Sequence, residues 1–291
     1  MAIAARRSAT LETMLKLGRV SNLPTVWTNV LAGTILAGGN ALSARTFIVA
    51  LAMSSLYIGG MFLNDYCDRN IDAVERPRRP IPAGEISERT VAAVASALLA
   101  AGIALVATLG IAAAAAGLAL GLAILGYDVF HKRNAAAPVI MGLCRALVYG
   151  SAAAAAVGGV SGTLVVAAVA ILAFTAGLTY AARQENLDQI GNMWPLLLLA
   201  APMIVSLPAL RQGILASLIY LGLVACVCYS VYLLARLPVL GSVPRAVGCL
   251  IAGISLVDAA FLASAGAIAA ALGASVGCAA TLLLQRYVPG T

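Results

Sequence analysis

Long apolar runs constrain this chain more than any other feature of its sequence. Stretches of about 18 residues or more with almost no charge recur between residues 22 and 285, and runs of that length are typical of membrane-spanning helices. Only 10% of the 291 residues are charged, against about a quarter in soluble domains. The sequence therefore predicts an all-α, polytopic transmembrane bundle that forms one domain over residues 1–291. It excludes a soluble globular fold.

We predict nine or ten membrane helices, preceded at residues 8–20 by a short amphipathic helix that lies at the membrane interface. The predicted ranges are 22–39, 46–66, 89–110, 112–130, 137–157, 162–182, 193–208, 213–236, 245–262 and 265–285. If the N-terminus is cytoplasmic, Arg45 is the one basic residue on the far side over the first six helices, as the positive-inside rule requires. The net charge of +7 follows from this bias, so we expect an inner or plasma membrane location and no nucleic-acid partner.

The densest polar clusters share one face of the membrane. Each follows an even-numbered helix, at residues 64–72, 127–133 and 183–188. The loops predicted on the opposite face are short and almost uncharged. We therefore expect a central cavity that opens to the cytoplasm, with motif loops at residues 64–89 and 183–192.

The cluster at residues 64–72 carries the clearest chemical signal. Asp65, Asp68 and Asp72 are spaced i, i+3, i+7, which puts their carboxylates on one face of a helix. Carboxylates this close repel one another unless a hard cation lies between them, and Mg²⁺ takes carboxylate and phosphate oxygens as ligands. Asn64 adds an amide oxygen, so we predict a magnesium site here; the alternative is a polar helix end at the membrane surface.

A second acidic pair, Glu185 and Asp188, emerges on the same predicted side of the membrane. Two acidic clusters could hold one diphosphate through bridging Mg²⁺ ions, which neutralise phosphate charge and make diphosphate a better leaving group. We add both residues to the predicted metal ligands. An ordinary polar loop is the other interpretation of this pair.

Basic residues follow the acidic cluster at residues 64–72 and end the cluster at residues 127–133. The guanidinium fork of arginine matches phosphate oxygens and lysine supplies a point charge, while the prolines at positions 80 and 82 stiffen the loop. We predict diphosphate binding by Arg78, Arg79, Lys132 and Arg133, and we count Lys132 with the three aspartates as catalytic. The alternative is that the positive-inside bias alone explains these cations.

Polar residues in or beside apolar helices are candidates for substrate binding. Charges inside a membrane tend to face the protein interior and to find partners, so Arg145 and Asp258 could pair or line a cavity. Tyr149 lies one turn after Arg145 on the same face. Arg19, Asn22 and Asn29 could reach the mouth of the site or cap the first helix. The predicted substrate-binding set is Arg19, Asn22, Tyr127, Asp128, Arg145 and Tyr149.

Two residue types receive structural interpretations. The single histidine, His131, is interpreted as an interfacial polar residue, and Asp128 could simply pair with Lys132 at i, i+4. The six cysteines are scattered without C-x-x-C spacing, so we expect free thiols rather than a thiolate metal site.

The motif Asn64-Asp65-x-x-Asp68-x-x-x-Asp72, followed by RPIPAG at residues 79–84, resembles the first signature of the UbiA superfamily of intramembrane prenyltransferases. Tyr127 with Lys132-Arg133 is similar to the basic element after the fourth helix of that family, and Arg19 and Asn22 are similar to its polar positions before the first helix. The resemblance covers residues 12–192. It implies a nine-helix bundle and Mg²⁺-dependent transfer of a prenyl group from a prenyl diphosphate to a small acceptor, within the lipid bilayer. It also assigns the metal to the first motif and the diphosphate to Arg78 and Lys132.

The second motif departs from the family pattern, because Glu185 and Asp188 stand where two or three aspartates are usual. Residues 127–134 (YDVFHKRN) most resemble the branch of the superfamily encoded in Ebo-type gene clusters. That resemblance implies a polar cyclic polyol as acceptor in place of an aromatic ring, and both acceptor classes stay open. Two other functions stay open. One is a terpene cyclase of the same superfamily, which ionises a prenyl diphosphate without an external acceptor, and the other is a non-catalytic transporter or lipid-binding bundle.

Overall fold

The computed structural model describes residues 11–131, 134–156, 159–183, 192–235 and 241–290, and it contains no strand in these ranges. The α-helices are 11–17 (α1), Leu23–Leu36 (α2), Ala44–Glu75 (α3), Glu88–Ala107 (α4), Ile111–Phe130 (α5), Ala137–Ala155 (α6), Gly162–Arg183 (α7), Ala201–Val205 (α8), Ile214–Ala235 (α9), Ser242–Ser264 (α10) and Ile268–Leu284 (α11). Short 3₁₀ helices occupy Val20–Asn22, Trp194–Ala200 and Leu207–Arg211. The predicted all-α bundle is confirmed.

Within the described ranges, eight helical segments are long and apolar enough to cross a membrane, as expected for an integral membrane protein. They are α3 to α7, α9, α10 and the broken segment Trp194–Arg211. Two further predicted spans are helical but shorter, since α2 has 14 residues and α11 has 17. The segment Trp194–Arg211 alternates between 3₁₀ and α turns because Pro195, Pro202 and Pro208 each remove a backbone donor.

Helix α3 carries the acidic motif and is the longest element. It begins where the Ser43 side chain accepts a hydrogen bond from the backbone N–H of Thr46. Its 32 residues span about 48 Å, well beyond the hydrocarbon thickness of about 30 Å. The predicted end near residue 66 was wrong: the helix runs to Glu75 because the first helix breaker is Pro77, which restricts the residue before it. The motif at residues 64–72 is therefore helical throughout, and the connecting loop begins only at Arg76.

Helix α2 lies among α3, α6, α10 and α11. It approaches α6 so closely that a Cβ added at Gly33 would lie 2.9 Å from the backbone of Tyr149, so only glycine fits there. This contact brings the polar residues of α2 next to Arg145 and Tyr149 of α6. Helix α10 covers the other side of α2 and buries most of its own residues.

The N-terminal amphipathic segment packs on the motif end of the bundle. Leu17 is buried with Phe62 of α3 and with Val91 and Ala95 of α4. The Thr13 hydroxyl donates a hydrogen bond to Glu85 at 3.0 Å. Of the predicted helix at residues 8–20, α1 accounts for 11–17, and residues 8–10 lie outside the described residues.

Candidate functional site

The three aspartates of the motif lie on the buried face of α3. Asp65, Asp68 and Asp72 are 5%, 8% and 4% exposed, so the spacing argument identified the correct face. Among the described residues, however, no three Asp, Glu, His or Cys side chains gather closely enough to form a metal site by themselves. Because Mg²⁺ is commonly bound through one or two carboxylates plus substrate phosphates, a pair of these aspartates suffices for such an ion.

Asp65 holds three chain segments together. Arg79, from the loop after α3, donates to its Oδ1 at 2.8 Å, and Arg19, from the N-terminal segment, lies 3.5 Å from the same atom. The three side chains are only 7%, 20% and 19% exposed, so the ion pairs are partly shielded from water. The carboxylate therefore fixes two guanidinium groups beside the acidic face of α3.

Arg19 is the only non-glycine residue with positive φ in the part of the chain that the structure describes, at φ 42° and ψ 46°. Such a left-handed conformation costs roughly 1–2 kcal/mol for a residue with a Cβ. Strained residues cluster at functional sites because the surrounding contacts hold them there. The position of the guanidinium, which also lies 3.5 Å from the sulfur of Met61, fits that pattern.

His131, at the end of α5, faces the motif. Its Nε2 lies 3.4 Å from Asp68 Oδ1, its Nδ1 lies 3.2 Å from the carbonyl oxygen of Asp128, and its ring stacks on Tyr127 at 5.0 Å. The interpretation as a merely interfacial residue was wrong, since the imidazole lines the cavity described below. The sequence signal for this placement is the position of His131 one turn after Tyr127, on a helix whose end is predicted to lie beside the site.

Asp128 is tied to the motif from the opposite helix. It is 4% exposed, and its Oδ1 accepts a hydrogen bond from Asn64 Nδ2 at 3.1 Å. Its Oδ2 is buried and has no hydrogen-bond partner among the described residues. Asp128 therefore links α5 to the motif helix α3 through Asn64.

A cavity of about 550 Å³ opens beside these residues. Its wall carries six basic side chains: Arg19, Arg76, Arg79, His131, Arg145 and Arg183. It shares Tyr57, Met61, Tyr127, Met141 and Arg145 with a second cavity of about 80 Å³, whose other lining is almost entirely apolar. The two spaces together suit a ligand with an anionic head and an apolar tail.

Five of the twelve predicted site residues that the structure describes line this cavity: Arg19, Asn22, Arg79, Tyr127 and Arg145. Asn64, Asp65, Asp68 and Asp72 do not line it, and Asp128 lines only the smaller cavity. Asn22 lines it and is held by Gln285 and by the carbonyl oxygen of Gly290. Arg78 is exposed and does not line it, whereas Arg76 and Arg183 do. Arg76 could have been found by extending α3 to the residue before Pro77, since that places its side chain at the helix end next to the motif.

The buried polar residues of the helices are linked in an unexpected order. Tyr149 is fully buried, does not line the cavity, and donates a hydrogen bond to Asp258 rather than reaching a substrate. Arg145 and Asp258 do not pair directly, because Asn29 lies between them. The expectation that Asn29 reaches the mouth or caps the first helix was therefore wrong. Four further predicted residues lie outside the described residues, namely Lys132, Arg133, Glu185 and Asp188.

A sequence profile of the UbiA prenyltransferase family matches residues 26–193, which is more than half of the chain. The chain belongs to the UbiA prenyltransferase family. The matched range includes α3 to α7 and hence the acidic motif, His131 and Arg145.

Two curated relatives match shorter stretches of this UbiA-family chain. A digeranylgeranylglyceryl phosphate synthase from Methanothrix thermoacetophila is 40% identical over 78 residues, which is 26% of this chain and 29% of that protein. A chloroplastic chlorophyll synthase from Oryza sativa subsp. japonica is 40% identical over 93 residues, which is 30% of this chain and 24% of that protein. The chain thus spans less than a third of the length of either relative.

The solved structure of a UbiA homologue from Archaeoglobus fulgidus, bound to GPP and Mg²⁺, has the same fold. Its TM-score is 0.64 at 16% identity, and the match covers 91% of this chain and 99% of that one. This structural match also includes helices after residue 193, which the sequence profile does not reach.

Proposed function

We propose that this protein is a membrane prenyltransferase, which moves a prenyl group from a prenyl diphosphate to a small acceptor in a reaction that requires Mg²⁺. The observation that carries the proposal is the cation-lined cavity beside the buried acidic face of α3, continued by an apolar space. Family membership and the GPP and Mg²⁺ in the Archaeoglobus fulgidus homologue support the same reaction class.

The diphosphate occupies the polar cavity in this proposal. Arg76, Arg79 and Arg183 bind its oxygens, because guanidinium groups match phosphate in charge and geometry. The prenyl chain lies in the apolar cavity, whose lining includes Leu56 and Leu120. Arg78 and the undescribed Lys132 and Arg133 stay predictions as further diphosphate ligands.

The side chains of the first motif suit a hard cation, since they offer carboxylate and amide oxygens near the end of α3. Asp65 and Asp68 would hold Mg²⁺, with Asn64 and Asp72 as further candidate ligands on the same helix. When bound, Mg²⁺ supplies positive charge that neutralises the diphosphate. Glu185 and Asp188 stay predicted ligands of a second ion.

The protein's own residues account for the rest of the chemistry. The guanidinium groups stabilise the negative charge that develops on the departing diphosphate as the bond from its oxygen to the prenyl carbon breaks. The apolar lining keeps water away from the allylic carbocation that results. An oxygen or carbon of the acceptor then bonds to that carbon and loses a proton.

Two acceptor classes follow from different features of the chain. The resemblance of residues 127–134 to the Ebo-type branch implies a polar cyclic polyol, and the name of the Methanothrix relative implies a glyceryl phosphate. Both classes carry hydroxyl groups. We therefore propose a hydroxylated acceptor. We also propose that the cavity opens to the cytoplasm, as the distribution of arginines predicts.

The decisive experiment uses the purified protein in detergent with geranyl diphosphate and Mg²⁺. Release of pyrophosphate, together with a prenylated product in the presence of a cyclic polyol or a glycerophosphate, is the expected result. A hydrocarbon product without any acceptor indicates a terpene cyclase instead. If the folded protein neither binds geranyl diphosphate nor releases pyrophosphate, the proposal is wrong and a transporter or lipid-binding bundle is favoured.

A further inference from the structure

A buried polar network joins three helices on the side of the cavity away from the acidic motif. Asp258 of α10 accepts hydrogen bonds from Asn29 Nδ2 of α2, at 2.9 and 2.8 Å to its two oxygens, and from the Tyr149 hydroxyl of α6. Asn29 Oδ1 accepts a hydrogen bond from Arg145 Nη1 at 2.8 Å. Asp258, Asn29 and Tyr149 are all 0% exposed.

The Asn29 amide can serve this network in one orientation only. Its oxygen faces a guanidinium, which has only donors, and its nitrogen faces a carboxylate whose oxygens already accept. Turning the amide over would set donor against donor and acceptor against acceptor. Asp258 therefore fixes the orientation of Asn29, and Asn29 in turn fixes Arg145.

Arg145 is the only member of this network that lines the cavities. It lies where the polar cavity meets the apolar one, with its Cζ 6.0 Å from the centre of the Tyr57 ring. Its Nη2 donates to the Thr25 hydroxyl at 3.0 Å. A guanidinium has five N–H groups, and these two bonds to Asn29 and Thr25 use two of them.

A network of this kind is costly inside a membrane. Buried ion pairs are often no more stabilising than apolar residues of the same volume, and intramembrane charges usually mark a functional site. Apolar packing between α2, α6 and α10 would hold the helices together without any charge. What the network provides is an arginine held rigidly at the junction of the two cavities.

We propose that Asp258 is a positioning residue: through the Asn29 amide, it fixes the Arg145 guanidinium against the phosphate oxygen that bridges to the prenyl carbon. This inference rests on the proposed prenyl-diphosphate site. The junction is where the anionic head of such a substrate ends and its apolar chain begins. When the bond from that oxygen to the carbon breaks, the electron pair stays on the oxygen, and Arg145 stabilises the charge there.

The test measures binding of geranyl diphosphate with Mg²⁺, by isothermal titration of the purified full chain in detergent. Asp258→Asn removes the counter-charge and frees the Asn29 amide to turn, so the affinity should fall about 10-fold or more. The double exchange Asn29→Asp with Asp258→Asn moves the carboxylate next to Arg145 and should restore affinity to within about 3-fold of the wild type.

Ser255→Ala is the matched control. Ser255 accepts a hydrogen bond from the Thr28 hydroxyl at 3.1 Å, between the same helices α2 and α10 and one turn from Asp258. This variant should bind geranyl diphosphate as the wild type does. A second readout is a cycle with Arg145→Lys: in that background, Asp258→Asn should change affinity by no more than about 2-fold, because its effect passes through Arg145.

The outcomes separate this inference from the proposed function. If the wild type does not bind geranyl diphosphate, the proposed function fails. If the wild type binds but Asp258→Asn binds equally well, or Ser255→Ala weakens binding as much, the positioning role is refuted. Should Asp258→Asn not fold, the double exchange decides: normal binding supports the inference, and a folded protein without binding, or no folded protein, overturns it.

Discussion

Asp65 is the residue at which the proposed metal-binding role and a structural role can be separated most sharply. Its carboxylate pairs with Arg79 at 2.8 Å while only 7% of its own side chain is exposed. Removing one partner of a fully buried ion pair costs about 3–5 kcal/mol. Arg79 keeps 20% of its surface in water, so we expect Asp65→Ala to cost about 2 kcal/mol of stability.

A second substitution should return the stability but not the activity. In Asp65→Ala with Arg79→Met, the charge of Arg79 is removed together with its partner, and apolar replacements of ion pairs are often neutral or stabilising. Arg19 alone loses a carboxylate, at the longer distance of 3.5 Å, and it keeps 19% of its side chain in water. The free energy of unfolding of the double variant should therefore lie within about 1 kcal/mol of the wild-type value. Both variants should lose at least about 100-fold in kcat/KM, or roughly 2.7 kcal/mol of transition-state stabilisation.

The assay combines thermal unfolding in detergent with pyrophosphate release from geranyl diphosphate and Mg²⁺. Glu88→Ala is the control, because Glu88 pairs with Arg69 of α3 at a similar distance, 2.9 Å, but is 56% exposed. An exposed pair contributes about 0–1 kcal/mol, and turnover should not change. Wild-type turnover in Asp65→Ala would refute the metal assignment, and a double variant no more stable than the single one would refute the ion-pair argument.

Three further predictions concern other parts of the site. Arg76→Ala should raise the KM for geranyl diphosphate by about 10-fold while Arg78→Ala changes it less than about 2-fold, because only Arg76 lines the cavity; equal effects would contradict the cavity wall described above. Gly33→Ala should cost about 1–3 kcal/mol in thermal unfolding, because its Cβ would lie 2.9 Å from the Tyr149 backbone. Gly150→Ala on α6, where nothing lies within 4 Å of the added Cβ, is the neutral control. Chelation with EDTA should abolish pyrophosphate release and added Mg²⁺ should restore it; turnover that survives chelation would exclude a metal role for Asp65 and Asp68.

The fold was predictable because one physical signal dominates it. Apolar runs of sufficient length predict membrane-spanning helices independently of the residues around them. The i, i+3, i+7 spacing of Asp65, Asp68 and Asp72 likewise predicts that they share one face of a helix. The end of α3 was misplaced because the apolar run stops near residue 66 while the helix does not. The backbone continues to the first residue that forbids it, Pro77, and that signal was present in the sequence.

The details of the site were less accessible to sequence reasoning. Whether Arg76 or Arg78 faces the cavity depends on the loop that follows α3. Side chains in a loop have no regular period, so the sequence does not indicate which of the two is exposed. The bridge from Arg145 through Asn29 to Asp258 joins residues 116 and 229 positions apart. A charge in an apolar helix signals that a partner exists, but only the packing of α2 between α6 and α10 determines which side chain it is.

The length of α3 has a consequence for how this protein responds to its lipids. One unbroken rod connects the apolar half of the helix to Asp65 and Asp68, so any tilt imposed on the first half is transmitted to the carboxylates. Bilayers of different thickness impose different tilts on a helix of fixed apolar length. We therefore expect the distance from Asp68 to His131, on the neighbouring α5, to change with acyl chain length, and the rate of pyrophosphate release to depend on the thickness of the membrane in which it is measured.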